Sequence, residues 1–204
     1  MQLMMFVLTC MQQNYSTGDV PIRNMMDQAI AAFPDRHDAE KLLDNLSLYA
    51  EANYYYFDEV VLRGRLQRLY DGQLQANVDD LGFIALALVS FALGSQFTQF
   101  HGVSPRFAET PLTEPLPRAG FMYHAERIIP LVMTSCSADS LQCCLLMAIC
   151  LLPTAGPKAS YIYLNVALKI AISLGLHRAD RVPSKRSADE TLRRVFWTAY
   201  VIER

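Results

Sequence analysis

The run "LGFIALALVSFALGSQF", from Leu81 to Phe97, decides the fold class because it holds seventeen residues without a charge. That length lies at the lower edge of the roughly 17–25 apolar residues that a membrane-spanning helix needs. Ser90, Gly94, Ser95 and Gln96 interrupt the run, and no cluster of Lys or Arg flanks it to set an orientation in a bilayer. The run therefore predicts a helix that is buried on all sides inside a helical protein, with no membrane contact.

The composition agrees with a large buried core. Of the 204 residues, 52% are hydrophobic and 19% are charged, whereas about 25% of the residues in an average soluble domain are charged. The formal net charge of −2 gives no general attraction to phosphate or anionic lipid. The five cysteines come without a secretory signal, which argues against a disulfide framework and favours a reducing compartment.

Helix signals also precede the central run. The segment from Asn24 to Phe33 is apolar at helical spacing and stops at Pro34, and Asp35 is placed to cap the helix that follows. Sustained alternation of apolar and polar residues is scarce, so few strands are expected. We therefore predict an all-α fold of several helices, with a long surface loop at about 99–117 where five Gly and Pro residues gather.

The segment from Tyr54 to Tyr70 fits two structures. Its tyrosine run suits a short extended piece. A helix is equally consistent with the spacing of its apolar residues, which are Phe57, Val60, Val61, Leu62, Leu66 and Leu69.

The cysteines are the first candidates for a metal site in the sequence. Ser137 or Asp139 is expected to cap an apolar helix that Pro153 stops, and Cys143 and Cys150 lie on one face of that helix. Structural zinc sites need short chelating pairs such as C-x-x-C, and the sequence contains none. We interpret these cysteines as small core residues.

The segment from Pro157 to Leu176 predicts a well-defined helix and its end. Pro157 suits the first turn, Gly175 suits a left-handed residue after the last turn, and Leu176 then packs back on the helix. The expected buried stripe consists of Ala159, Ile162, Tyr163, Val166, Ala167, Ile170, Ala171 and Leu174.

Ser187 and Glu190 have the spacing of a capping box and predict the start of the final helix. Arg193 and Trp197 are four residues apart and are expected to make a cation–π contact. The helix reaches Arg204 without a C-terminal cap, so we expect the sequence to be incomplete there. The residues expected in the core are Leu192, Val195, Phe196, Ala199 and Tyr200.

His177 raises the question of catalysis. It follows the end of a helix, where an imidazolium interacts favourably with the unpaired carbonyl groups, and no nucleophile or carboxylate partner stands nearby in the sequence. Nucleotide-binding loops and nucleophile elbows are absent, so we expect no enzyme, no cofactor and no bound metal in this chain. A cluster of basic residues is only a weak candidate for direct nucleic-acid binding, and it comprises Arg178, Arg181, Lys185, Arg186, Arg193 and Arg194.

The order of two motifs resembles the fungal-specific transcription factor domain, the middle homology region of fungal binuclear zinc-cluster regulators. That family has an alanine-rich helix ending in L-G-L-H-R, a polar loop, and an acidic-start helix carrying R-R-x-[FW]-W. The matching residues are Leu174, Gly175, Leu176, His177, Arg178, Glu190, Arg193, Arg194, Phe196, Trp197 and Arg204. The resemblance weakens upstream, where "YYYFDEVVLRGRL" replaces the usual Pro and His of an aromatic turn.

The resemblance implies a regulatory domain over residues 35–204, preceded by a lead segment and short helix over 1–34. It implies nuclear regulation of transcription by RNA polymerase II, with DNA and zinc bound by a neighbouring cluster whose ligands this chain lacks. It also implies control through a homodimer, a small-molecule effector or a co-regulator protein. A stand-alone helical interaction module that has lost its DNA-binding half is the alternative.

Overall fold

A computed structural model describes residues 21–50, 54–97, 118–153, 157–178 and 187–204. Within these residues the chain forms eight α-helices and no strand, which confirms the all-α prediction. The predicted loop at about 99–117 and most of the polar segment before the last helix lie outside the described residues. The helices are α1 (21–31), α2 (Arg36–Ala50), α3 (Glu59–Tyr70), α4 (Leu81–Phe97), α5 (Arg118–Ser135), α6 (Ala138–Leu151), α7 (Pro157–Ser173) and α8 (Ser187–Glu203).

Helix α4 is the centre of the fold, as the charge-free run predicts. Every residue from Leu81 to Ser95 is buried, and α2, α5 and α6 pack around the helix. Gly94 permits the approach of α2, because a methyl group at Gly94 would overlap the main-chain carbonyl of Leu42. Core residues of α1, including Met26, join the same apolar cluster.

The same helix passes a test for membrane spanning by length and composition. The span Val78–Phe97 has 20 residues, including a short 3-10 turn before α4, and 78% of its most apolar window is buried inside the protein. Its apolar surface is therefore covered by neighbouring helices.

Several helix ends form as the sequence predicts. The Asp35 carboxylate accepts a hydrogen bond from the Asp38 amide at 2.8 Å, and Ser137 caps α6 in a reciprocal capping box with Ser140. Helix α7 begins at Pro157, and α6 ends two residues before Pro153. Each cap satisfies main-chain groups that the helix itself leaves unpaired.

The segment 54–70 divides into an extended piece and a helix. Residues 54–58 are not helical, and α3 begins at Glu59 with Asp58 as its N-cap. Leu62 and Leu66 are buried, whereas Val60 and Val61 are 81% and 56% exposed. The two valines lie on the solvent side of the first turn of α3, while Leu62 in the same turn faces the core.

Helix α7 presents a different stripe from the predicted one. Ala167, Ile170 and Ala171 are buried as predicted, whereas Ile162 is 61% exposed and its predicted burial is wrong. Ser160 and Leu164 are buried instead. The Ser160 hydroxyl donates to the Ala148 carbonyl at 2.7 Å, which fixes the first turn of α7 against α6.

Candidate functional site

The two motifs that stand out in the sequence lie on α7 and α8, which contact each other. At the end of α7, Gly175 adopts φ of 73°, a left-handed conformation that favours glycine. The Leu176 amide donates to the Ala171 carbonyl at 3.0 Å, and the Gly175 amide donates to the Ile172 carbonyl at 2.9 Å. This is the Schellman arrangement, so the predicted helix end is confirmed.

The next two motif residues, His177 and Arg178, are exposed just beyond this cap. Leu176 is half-buried and packs against the core. Gly175 and Leu176 thus shape the backbone, whereas His177 and Arg178 face solvent.

Helix α8 is attached to the body by an unexpected pair of threonines. Val195 and Ala199 are fully buried as predicted, while Leu192, Phe196 and Tyr200 are only half-buried. Thr191 and Thr198, which the apolar pattern of the helix does not indicate, are among its most buried residues.

Both threonines bind the extended segment before α3. The Tyr55 amide donates to the Thr198 hydroxyl at 3.1 Å. The Thr191 hydroxyl donates to the Asp58 carboxylate at 3.4 Å. We call residues 54–58 the aromatic segment, and these two bonds connect it to α8 across more than 130 positions of sequence.

A third contact strengthens the attachment of α8. The Arg194 guanidinium lies 3.8 Å from the centre of the Tyr55 ring, within the range of a cation–π interaction. The predicted contact of Arg193 with Trp197 is wrong. Among the described residues Trp197 instead packs against Phe196 and Tyr200, with ring centres 5.5 and 5.6 Å away.

The remaining motif residues form an exposed face, which we call the α8 outer surface. It comprises Glu190, Arg193, Trp197 and Arg204. Trp197 is 55% exposed, and the Arg204 guanidinium lies 5.1 Å from the Tyr200 ring centre. Helix α8 begins at Ser187, but the Ser187 side chain lies outside the described residues, so its capping box stays a prediction.

A cavity of about 370 Å³ lies between the first two turns of α3, α4, α6 and α8. Helix α8 contributes Thr191 and Leu192 to its wall. The other residues that line it are Asp58, Val61, Leu62, Arg65, Phe83, Leu86, Ala138, Asp139 and Gln142.

Arg65 forms the main polar cluster of this cavity. Its guanidinium pairs with Asp139 at 2.7 Å and with Asp80 at 3.2 Å. The same group lies 4.1 Å from the centre of the Phe83 ring. One cation therefore joins the starts of α4 and α6 and covers an aromatic wall of the cavity.

The cysteines of α6 are core residues, as predicted. Cys143, Cys144 and Cys150 are fully buried. Burial raises the pKa of the Cys144 thiol from 9.0 to about 12, and burial together with neighbouring negative charge raises the pKa of the Cys143 thiol. No group of three or more His, Cys, Asp or Glu side chains in the described ranges is arranged to hold a metal ion.

Known proteins similar to this chain are fungal transcriptional regulators. Over 182 residues it is 30% identical to an uncharacterized transcriptional regulatory protein of Schizosaccharomyces pombe. The aligned region covers 89% of this chain and 22% of that protein. Two thiamine repressible genes regulatory proteins of the same yeast are 28% and 26% identical, over 94% and 80% of the chain. The chain spans about a fifth to a quarter of the length of these relatives. No solved structure matches it.

The match to a protein family covers the cavity, both motif helices and all of the aromatic segment except its first residue. Residues 55–204 match the fungal specific transcription factor domain. This range contains every motif residue on which the sequence resemblance rests. The chain belongs to the fungal specific transcription factor domain family.

Proposed function

We propose that this chain is the regulatory body of a fungal transcription regulator. It acts in the nucleus on transcription by RNA polymerase II and is not an enzyme. The observation that carries the proposal is the family match over residues 55–204, which includes the whole of the α7–α8 pair.

DNA and zinc are bound by a separate segment in this proposal. The net charge of −2 supports this division, because non-specific DNA binding depends on neutralising phosphates with Lys and Arg. The buried thiols of α6 support it too, since a thiol must lose its proton to ligate zinc and burial opposes that loss.

Regulation passes through α8. Within the described residues, this helix packs on α7 and α6 and is hydrogen-bonded to the aromatic segment. An effector, a co-regulator or a second copy of the chain that favours one placement of α8 would change the exposure of the α8 outer surface. A ligand shifts such an equilibrium only through its different affinity for the two placements.

A reporter assay tests the regulatory role. Residues 1–204 are fused to an unrelated DNA-binding domain, and transcription is measured from a promoter that carries its site. We expect the fusion to change transcription relative to the DNA-binding domain alone. Equal transcription from both proteins would contradict the proposal. Repeating the assay with and without thiamine asks whether this chain responds as the names of its two relatives suggest.

A binding assay tests the division of labour. The isolated chain is titrated against genomic DNA fragments at several salt concentrations. We expect only weak binding that falls steeply with salt. Tight, sequence-specific binding would contradict the assignment of DNA recognition to another segment.

The exposed aromatic residues favour a second candidate, a helical module that binds another protein without acting on DNA. Trp197 and Val201 are 55% and 53% exposed on neighbouring positions of α8. Chromatin immunoprecipitation of the native protein separates the two functions. Enrichment at promoters is expected for the transcription regulator and not for the stand-alone module.

A further inference from the structure

We propose that the cavity beneath α8 binds an uncharged, mostly apolar small molecule that carries one amide-like group. The site is formed by α3, α4, α6 and α8, and Gln142 supplies the hydrogen bond that orients the ligand. This assigns a place and a chemical class to one of the control inputs in the proposed function, on which its regulatory meaning rests.

The size and walls of the cavity suit such a ligand. Its volume of about 370 Å³ falls within the range of roughly 300–1,000 Å³ that is typical of small-molecule pockets. Val61, Ala138 and Leu192 line it with exposed or half-buried apolar side chains, and the core residues Phe83 and Leu86 complete the apolar wall. Most of the surface offered to a ligand is therefore hydrocarbon.

The charged groups around the cavity are already paired with one another. Arg65 is held between Asp80 and Asp139. The Asp58 carboxylate accepts hydrogen bonds from the Val61 amide at 3.1 Å and from Thr191. The N-terminal ends of α3 and α6 carry the partial positive charge of the helix dipole, and Glu59 and Asp139 in their first turns compensate it. An ionic ligand would have to break these pairs, whereas an uncharged ligand leaves them intact.

Gln142 is the polar group in the cavity wall that lacks a partner. Its side chain is 8% exposed, and no hydrogen bond joins its amide to any residue that the structure describes. A carboxamide offers two donor hydrogens and an acceptor oxygen, and those of Gln142 are available to a molecule in the cavity. A ligand amide placed against Gln142 would satisfy both kinds of group at once.

A molecule bound in the cavity would contact α8 directly. Thr191 and Leu192 stand on one side of the ligand, while α3, α4 and α6 form the other sides. A bound molecule bridges these helices and so favours the docked placement of α8.

A matched set of three probes tests the chemical class. Benzamide is uncharged, benzoate is an anion and benzamidine is a cation, yet the three have nearly the same shape. Binding to the full chain is followed by two-dimensional NMR without DNA. For a ligand of this size we expect benzamide to bind with a Kd of about 1 mM. Both ions are expected to bind at least about tenfold more weakly, since desolvated charge needs a partner.

Two variants locate the site. Ala138→Met places a longer side chain in the cavity and is expected to abolish benzamide binding, while Ala119→Met on the exposed side of α5 leaves it unchanged. Gln142→Leu keeps the bulk but removes the amide, so benzamide binding weakens about three- to tenfold. Toluene, which has no amide, binds this variant as tightly as it binds the natural chain.

Three results would overturn the inference. They are no benzamide binding at about 10 mM, equal binding of either ion, or benzamide binding that survives Ala138→Met in a folded variant. Because binding is measured on the purified chain, its outcome is independent of the reporter assay. Loss of reporter activity with benzamide binding intact would contradict the proposed function alone.

Discussion

Helices α4 and α8 both contain seventeen residues, yet the fold uses them in opposite ways. Helix α4 is surrounded by α2, α5 and α6 and has no solvent-facing side through most of its length. Helix α8 buries one face, with Thr191, Val195, Thr198 and Ala199, and leaves Trp197 and Val201 in solvent. The hydrophobic driving force is therefore concentrated in α4, and the recognisable surface features are concentrated in α8.

This difference indicates that α4 mainly stabilises the fold, whereas α8 is the better candidate for an element that moves in regulation. Segments with few buried contacts open at lower free-energy cost than the core does, and elements that move in regulation come from such segments. Besides its packing on α7 and α6, helix α8 makes two threonine hydrogen bonds and one cation–π contact to the aromatic segment. We expect perturbations in α4 to unfold the domain and perturbations in α8 to leave it folded.

The largest contrast should come from one substitution made in both helices. Phe91 on α4 is fully buried between Phe33 and Phe121, with ring centres 5.3 and 5.7 Å away. Phe91→Ala is expected to lower the free energy of unfolding by about 3–5 kcal/mol, because it leaves a large cavity. Phe196→Ala on α8 is expected to cost only about 1 kcal/mol, since that ring is half-exposed.

Chemical denaturation followed by circular dichroism measures both variants. Similar losses in the two helices would contradict the separation of roles. A larger loss for Phe196→Ala would place the stabilising centre at α8 instead.

A smaller effect is expected where α4 meets α2. Gly94→Ala forces a methyl group against the Leu42 carbonyl and should cost about 1–3 kcal/mol, despite the better helix propensity of alanine. Gly64→Ala on α3 is the matched control, because a methyl group there meets no atom within 4 Å. We expect the control to gain about 0.5–1 kcal/mol. Thermal unfolding of both variants checks the signs, and a neutral Gly94→Ala would mean that the two helices can separate freely.

High pH should weaken the α6 side of the core by a comparable amount. Burial raises the pKa of the Cys144 thiol from 9.0 to about 12, and burial also raises the pKa of Tyr70 and Cys143. These groups are neutral when protonated, so the stability they contribute is fully present below their unfolded-state pKa values. Above pH 9 the unfolded chain releases protons that the folded chain retains.

For Cys144 alone, stability is expected to fall by about 1 kcal/mol between pH 9 and pH 10. Denaturant titrations at a series of pH values measure the slope, and Cys144→Ala should reduce it. An unchanged slope in a folded Cys144→Ala variant would show that this thiol titrates alike in both states.

The sequence predicts the buried half of the molecule well because local patterns determine it. The charge-free run gives α4, and Gly175 followed by Leu176 gives the end of α7. Each of these features depends on residues within one or two helical turns. The choice of buried stripe on α7 does not, since Ile162 and Leu164 are equally apolar and contact with α6 selects the latter.

The candidate site is harder to predict because its residues are distant in sequence. Tyr55 meets Thr198 across 143 positions, and Thr191 meets Asp58 across 133. Reasoning at i,i+4 spacing paired Arg193 with Trp197, whereas the fold pairs Arg194 with Tyr55. Helix periodicity also identifies buried positions by large apolar residues, so it does not predict that Thr191 and Thr198 are buried.

The smallest change in stability is expected at Trp197, where the change in function should be clearest. Its ring is 55% exposed and, within the described residues, its ring contacts are to neighbours in α8, so Trp197→Ala should cost at most about 1 kcal/mol. Tyr161→Ala on α7 is a matched control, because Tyr161 is also 55% exposed. In the reporter fusion we expect Trp197→Ala to reduce regulation and Tyr161→Ala to leave it unchanged. Equal effects of the two substitutions would mean that exposed aromatic area, and not the α8 outer surface, carries the activity.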